Sequence, residues 1–469
     1  MNFARNLERH GDRLALLLAD GSRIAYRELA ARADAVFARA DAPARARTLV
    51  AVEADNGVAA VAGYLGALRN GHPVLLSDSQ LAPALRTALY DHYGVGWVWS
   101  AAGEWIARGG DGPATHPDLA LLLSTSGSTG APKLVKLTLD ALDANAAAIA
   151  DYLGITQDER PITTLPIHYS FGMSVLNSHL RQGAALLLTN EGVTSKGFWD
   201  FFKAAEATSL SGVPTTFTLL RQLRFERMAL PSLRTLTQAW GRLGEDHVAY
   251  YGQLAQSRGQ RFVVMYGQTE AGPRMAYVPP ERVLEKPGSI GIAIPGGRLD
   301  LVADDGSTID APGVVGELRF TGPSVMMGYA EGPDALAEGD VQHRVLLTGD
   351  LAERDADGFY YVRGRRKRFI KVFGNRIGLD EVETQLRARG HDVAVTGRDD
   401  LLAVALRSDG DDEAVLAAQA SALAADIAAT YRLHHSAIRV VPVAAFPLSS
   451  AGKVRYAELL DAILTPTTS

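Results

Sequence analysis

The sequence contains no cysteine. That excludes disulfides, thiolate metal centres and cysteine nucleophiles together, while leaving the redox compartment open. Lysine is scarce: only eight of the 47 basic residues are Lys, at 133, 136, 196, 203, 286, 367, 371 and 453. A chain that uses arginine by default and still keeps a few lysines draws attention to those sites, because an ammonium is a compact point charge and a guanidinium a planar fork. Long apolar runs are also missing. No stretch is expected to reach the roughly 18 apolar residues of a membrane span, and the N-terminal run 14–19 is too short for a signal segment. A cytoplasmic protein is expected. Neither charge sign dominates: 47 basic against 53 acidic residues leave a net charge of −6, which argues against nucleic acid or an anionic membrane as the main partner.

What is present is the composition of a globular chain: 469 residues, 47% hydrophobic and 21% charged, with 46 Gly and 21 Pro. That length suits two or three domains. Short apolar runs at 119–124, 184–189, 208–213, 233–239 and 261–265 alternate with amphipathic stretches at 139–153, 196–207, 214–224 and 245–258. The alternation predicts a layered α/β architecture with a largely parallel sheet. Beyond residue 295 the texture changes to short strands and turns, 298–303, a turn at 304–306 and 316–321, predicting a small antiparallel β unit. From 358 a strand pair (359–363, 368–373), helices at 379–389 and 412–430, and strands near 393 and at 402–406 predict a smaller α+β domain. The boundaries are set at 1–364, a hinge at 365–367, and 368–469.

The strongest local signal is LLLSTSGSTGAPKLVK at 121–136. A buried strand runs into Thr125, Ser126, Gly127, Ser128, Thr129 and Gly130, and the loop ends at Lys133. Glycines allow close backbone approach, hydroxyls and N–H groups donate to phosphate oxygens, and the lysine adds positive charge. Because Pro132 precedes the lysine it is not a Walker A loop. Taken alone, the segment also fits a polar surface loop.

This segment resembles a signature of the adenylate-forming enzymes, the superfamily of acyl-CoA synthetases, luciferases and peptide-synthetase adenylation domains. Further matches follow in the family's order: RIAYREL at 23–29, YLGALRNGHPVLL at 64–76, YGQTE at 266–270, Gly288 to Gly291, Gly316-Glu317-Leu318, Thr348-Gly349-Asp350, Gly364-Arg365 with Lys371 and Gly374, and Ser450-Ala451-Gly452-Lys453. The resemblance implies ATP-dependent activation of a carboxylic acid as acyl-AMP, then transfer to a thiol. It implies ATP and Mg²⁺, with CoA as acceptor, or alternatively the phosphopantetheine of a separate carrier protein. A catalytically inactive nucleotide-binding sensor is the contrasting reading, although Lys453, Asp350 and Glu270 are all present.

By the same resemblance, Ser126, Ser128, Thr129 and Lys133 hold the β,γ-phosphates, and Glu270 binds Mg²⁺ with Thr129. Tyr266, Gly267, Gln268 and Thr269 lie along the nucleotide. Asp350 accepts from the ribose hydroxyls and Arg365 assists. Lys453 bridges the carboxylate and the α-phosphate. Lys367 is the pivot of a mobile C-terminal domain, and Lys371 and Gly374 belong to the face used in thioester formation. The basic cluster Arg363, Arg365, Arg366, Lys367, Arg368 and Lys371 has two readings, docking of a phosphate-bearing acceptor or a solvated face.

Substrate choice is assigned to His168, Tyr169 and Ser170, to Gly212 and Val213, and to Ala239, Trp240 and Gly241. The family's aromatic gate falls on Tyr169, with His168 one position earlier. No Asp near Tyr169 is available to pair with an α-ammonium, which disfavours an amino acid. Trp240 stands where many relatives have glycine, and an inward indole would restrict the pocket to a compact acyl or aryl acid.

Overall fold

The computed structural model describes residues 2–39, 41–43, 47–110, 112–124, 133–366, 368–372, 375–408, 413–431, 433–448 and 453–464. Among the described residues, four of the five apolar runs, those at 184–189, 208–213, 233–239 and 261–265, become strands of a nine-stranded sheet. Its spatial order is Ile292–Ala293, Ala276–Tyr277, Arg261–Tyr266, Thr235–Gln238, Ser209–Gly212, Pro161–Ile162, Leu186–Leu188, Leu14–Leu18 and Arg23–Ala25. The strands from Arg261–Tyr266 across to Leu14–Leu18 are parallel. Gly212 pairs with Gln238 and Gln238 with Val264, so their carboxyl ends finish along one edge, the position where open α/β sheets bind ligands.

A second, seven-stranded sheet has the order Gly328–Ala330, Leu134–Thr138, Leu119–Ser124, Val74–Asp78, Val50–Ala54, Trp97–Trp99 and Trp105–Ala107. Two helices, Leu139–Tyr152 and Ser170–Gln182, pack between the sheets. Leu142, Ala146, Leu176 and Leu180 join the core of the seven-stranded sheet, while Ile149, Phe171 and Val175 pack with Val213, Ala239, Val263 and Met265 of the other. A helix covered on both sides must bury its polar residues too. Ser174 and Ser178 do so by donating back to the carbonyls of Phe171 and Ser174, each at 2.7 Å.

The antiparallel β unit is a five-stranded sheet in the order Thr308–Ile309, Arg298–Val302, Gly316–Thr321, Val345–Arg354 and Tyr360–Arg365. Its last pair sets Asp350 directly across from Arg365. Beyond it come the hairpin Phe369–Val372 and Asn375–Gly378, the helix Leu379–Ala388, and a three-stranded sheet of Val393–Arg398, Leu401–Arg407 and Ile438–Val443. These have their own core, in which Ile370, Val382, Leu386, Val395, Val404 and Ile427 pack together. One expectation is corrected here. The alanine-rich window Ala414–Tyr431 does reach the length and apolarity of a membrane span. It packs on this small domain through Ala420, Leu423 and Ile427, a helical spacing that gives the stretch one buried stripe.

Candidate active site

The strand Arg261–Tyr266 ends at the carboxyl edge of the large sheet, and the chain doubles back through a short 3₁₀ turn, Thr269–Ala271. A Cβ on Gly267 would sit 1.8 Å from the carbonyl oxygen of Pro273, so only glycine allows this return. The return aims Tyr266 and Gln268 at Asp350, which is almost fully buried, and the facing strand brings Arg365 to it. Tyr266 donates its hydroxyl to Oδ2, Gln268 Nε2 donates to the same oxygen at 3.0 Å, and Arg365 Nε lies 2.8 Å from Oδ1. Burial and the neighbouring Asp350 carboxylate push the Tyr266 phenol well above its ordinary range, so it stays protonated and donates. Asp350 in turn holds the Arg365 guanidinium firmly charged.

Glu270 receives a hydrogen bond from the Tyr329 hydroxyl at 2.8 Å. Tyr329 comes from the strand Gly328–Ala330, where it pairs with Val135, and that register brings it beside the end of the phosphate-loop segment. Lys133 Nζ lies 3.3 Å from the centroid of the Tyr329 ring and 3.9 Å from Glu331 Oε1. Burial, then Glu270, raises the Tyr329 phenol, again keeping it a donor. Thr269 is buried with its hydroxyl 3.2 Å from that of Ser170, which ties the motif to the start of the Ser170–Gln182 helix. Thr125, Ser126, Gly127, Ser128, Thr129 and Gly130 lie outside the described residues.

Lys453 arrives from the far end of the chain. Its Nζ stands 5.0 Å from the centroid of the Trp240 indole, within reach of a cation–π attraction. Burial foremost, then Arg365, pushes its ammonium down to about 8, while Glu270 and Asp350 pull the other way. The structure therefore brings Lys453, Glu270, Asp350 and Arg365 into one electrostatic neighbourhood. Lys367 and Gly374 lie outside the described residues, and Lys371 pairs through its backbone with Arg376 in the hairpin.

The four arginines of the basic cluster are matched by carboxylates. Arg363 meets Glu353, Arg365 meets Asp350, Arg366 meets Glu317 and Asp304, and Arg368 meets Asp380 and Glu383 while covering the ring of Tyr456 at 3.6 Å. Of the two readings, a positive face offered to phosphate loses support from these four side chains, since acids from other elements already neutralise them.

At the acyl side, Tyr169 and Trp240 meet edge to face with centroids 4.9 Å apart. Both rings join the apolar cluster of Phe171, Val175, Val213, Ala239, Val263 and Met265. Trp240 adopts φ of +71°, a left-handed conformation that is strained for so large a residue. Gln238 Nε2 braces the turn by donating to the carbonyl of Gly241 at 2.9 Å. Neither the Tyr169 hydroxyl, raised by burial, nor the Trp240 indole N–H has a hydrogen-bond partner among the described residues.

Three expected pocket residues have contacts of another kind. His168 Nδ1 lies 3.2 Å from the carbonyl oxygen of Ala54, and burial lowers its imidazole, so Tyr169 alone of the two joins the acyl cluster. A Cβ on Gly212 would come 3.0 Å from Phe217 and Thr216, and one on Gly241 3.0 Å from Pro214. These glycines admit the helix Pro214–Gln222 close to the sheet edge, which is a packing reason for their presence.

Two residues escaped the sequence reading: Tyr329, because its partner strand lies far away in the chain, and Arg274, a single charge in an apolar run whose burial no local pattern announces. No group of three or more acidic or histidine side chains suited to a metal occurs among the described residues. Glu270 is the carboxylate beside the phosphate-loop end, which fits a hard cation held by one protein oxygen and by phosphates.

Residues 98–330 match the model of the AMP-binding enzyme family. The chain is 31% identical over 311 residues to an indoleacetate–CoA ligase of Aromatoleum aromaticum, covering 65% of this chain and 59% of that protein. It is 32% identical over 279 residues to a feruloyl-CoA synthase of an Amycolatopsis species, covering 59% and 55%. The alignments thus span less than two thirds of these curated relatives. In fold, it superposes on the O-succinylbenzoate coenzyme A synthetase of Bacillus subtilis in complex with ATP and magnesium, with a TM-score of 0.78 and 23% identity over 98% of this chain and 99% of that one.

Proposed function

Because this chain belongs to the AMP-binding, adenylate-forming enzymes, we propose that it activates a compact, non-amino carboxylic acid with ATP and passes the acyl group to the thiol of CoA. The observation that carries this reading is the buried Asp350 held by Tyr266, Gln268 and Arg365, with Glu270 joined to Lys133 through Tyr329 and Lys453 set against Trp240. In the first half-reaction a carboxylate oxygen forms a bond to the α-phosphorus as the bond to pyrophosphate breaks. Two anions must approach and charge grows on the phosphoryl group, so positioning and cationic neutralisation carry the catalysis.

Lys453 supplies the cation between carboxylate and α-phosphate. Lys133, with Ser126, Ser128 and Thr129, holds the β,γ-phosphates. Glu270 and Thr129 would hold Mg²⁺, which when bound would supply neutralisation of phosphate charge. Asp350 accepts from the ribose: a carboxylate has about four acceptor sites, and Tyr266, Gln268 and Arg365 occupy three of them. In the second half-reaction the thiol sulfur attacks the acyl carbonyl and AMP departs.

CoA is favoured as acceptor because the two curated relatives described above are named as a CoA ligase and a CoA synthase. A carrier-protein phosphopantetheine is the alternative. We place the hinge at 365–367 between a 1–364 body and a mobile 368–469 domain, with Lys371 and Gly374 on the thioester face, and the protein in the cytoplasm. An ATP–pyrophosphate exchange screen over a panel of acids, repeated for thioester formation with CoA, tests the reading. Nucleotide binding without exchange for any acid would favour the sensor instead.

A further inference from the structure

Arg274 is 1% exposed and has no carboxylate within ion-pair distance among the described residues. An unpaired charge so deep is costly unless something compensates it. Its Nη1 donates to the Tyr152 hydroxyl at 3.2 Å and to Met265 Sδ at 2.9 Å, and the guanidinium covers the face of Phe171 at 4.5 Å. Its Nε is buried with no partner, and no hydrogen bond leaves Nη2 among the described residues. Nε and Nη2 form one edge of the guanidinium, the side-on fork that takes a carboxylate through two parallel hydrogen bonds.

A small cavity adjoins Arg274. Ser178 and His179 from the Ser170–Gln182 helix, Ser209 and Ser211, and Thr235 and Thr237 form its walls with Arg274. Ser211 and Thr237 stand one residue below the strand ends Gly212 and Gln238, and Val175 belongs both to the cavity wall and to the cluster containing Tyr169 and Trp240. Arg274 also reaches the acyl cluster directly, since Tyr152, Phe171 and Met265, which it touches, belong to that cluster. Ser209 and Thr235 lie two residues deeper, about 7 Å along a strand. Glu159 also lines it, but it is engaged by Arg234 at 3.6 Å and by the Thr208 hydroxyl. His179 is pushed down to about 4 by burial, so it is neutral, and the second cation of the lining, Arg261, is engaged by the Leu153 carbonyl at 2.8 Å and the Thr235 hydroxyl at 2.9 Å.

Arg274 is also held in place. Asn145 Nδ2 donates to its carbonyl at 2.9 Å, and its Cα passes 2.9 Å from where a Cβ on Gly267 would lie. The backbone that positions Glu270 four residues earlier thus fixes the arginine as well. A cationic fork at the floor of an acyl site, alongside the unpartnered donors Tyr169 Oη and Trp240 Nε1, is complementary to an acceptor-rich, negatively charged group.

Resting on the reading above, we propose that the acid activated by this enzyme is a short dicarboxylic acid. One carboxylate is adenylated beside Lys453, and the other is held by the side-on edge of Arg274. The cavity, about 20 Å³ as it stands, is close to the space of one water, so seating a carboxylate there requires its walls to open.

The test compares matched acids, succinate against butanoate and glutarate against pentanoate, in ATP–pyrophosphate exchange and in calorimetric binding to the full chain. The dicarboxylate is expected to win each pair by roughly a hundredfold or more in kcat/KM, since a site built for a polar group rejects the analogue lacking it. Arg274→Met, which keeps the volume without the charge, should erase or invert the preference, and Arg274→Lys should restore part of it. Equal or better use of the monocarboxylates by the wild-type protein would overturn the proposal, as would an unchanged preference in Arg274→Met. The wild-type comparison decides the matter even if the variants fold poorly. If no acid supports exchange, adenylation itself falls, while calorimetric preference for succinate over butanoate still decides the role of Arg274.

Discussion

Lys453 Nζ stands 5.0 Å from the centre of the Trp240 indole, so the cation assigned to the α-phosphate and the bulky residue assigned to the acyl pocket share one wall. Neighbouring chemistry and selectivity in this way makes each testable through the other.

Lys453→Ala should reduce adenylate formation by about 10²–10³, the typical cost of removing one well-placed group from transition-state charge. Transfer from preformed acyl-adenylate to CoA should be far less affected. Parallel assays of exchange and of adenylate-dependent thioester formation check this, and near wild-type exchange would remove Lys453 from its role.

The depressed Lys453 ammonium predicts a pH dependence. The productive form is protonated, and its population falls as pH rises through about 8. The kcat/KM for exchange should therefore hold steady on the acid side of that value and decline about tenfold per pH unit above it. In Lys453→Arg any residual activity should lose this alkaline limb, since a guanidinium stays charged. A pH–rate profile of both proteins decides it.

Tyr329→Phe removes the hydroxyl from Glu270 but leaves the ring beneath Lys133. A hydrogen bond to a charged group contributes about 1.5–3 kcal/mol, so exchange should fall roughly ten- to a hundredfold. Because Glu270 is the assigned Mg²⁺ ligand, the Mg²⁺ concentration needed for half-maximal rate should rise. Tyr329→Leu should add a further loss in ATP affinity. A Mg²⁺ titration that matches wild type would separate Tyr329 from the metal.

Trp240→Gly should lengthen the range of accepted acids. Each methylene newly buried is worth about 0.8 kcal/mol, so four carbons gain on the order of 3 kcal/mol, about a hundredfold. Glycine also relieves the left-handed backbone at this position, offsetting part of the lost contact with Tyr169. A chain-length series measured on both proteins tests this. An unchanged profile would mean that the indole does not limit the pocket.

Lys367→Pro fixes φ and removes a donor at the proposed pivot. It should slow thioester formation from acyl-adenylate more than adenylation, measured as separate half-reactions. Equal damage to both would count against alternation of the C-terminal domain.

The order of short motifs, matching that of the family, made Lys133, Tyr266 to Glu270, Asp350 and Lys453 legible in the sequence, and some of these motifs carry a backbone demand that leaves a local trace, as at Gly267. The antiparallel unit was equally readable from its short strands. Tyr329 was not, since only the pairing with Val135 brings it to Lys133. The basic run 363–371 was visible as composition, yet Glu317, Glu353 and Asp380, which neutralise its arginines, come from three other segments. Each of these differences depends on long-range contact, which residue order near the site does not encode.

Asp380 gives the junction a further property. One of its oxygens accepts from the backbone N–H of Arg365 at 2.9 Å, before position 367, and the other meets the guanidinium of Arg368, after it. A single carboxylate therefore clasps both sides of the proposed pivot. A rotation centred there would have to open this clasp on at least one side, which would make Asp380 a detent, with the strength of one charge-assisted hydrogen bond setting how firmly the present arrangement is held.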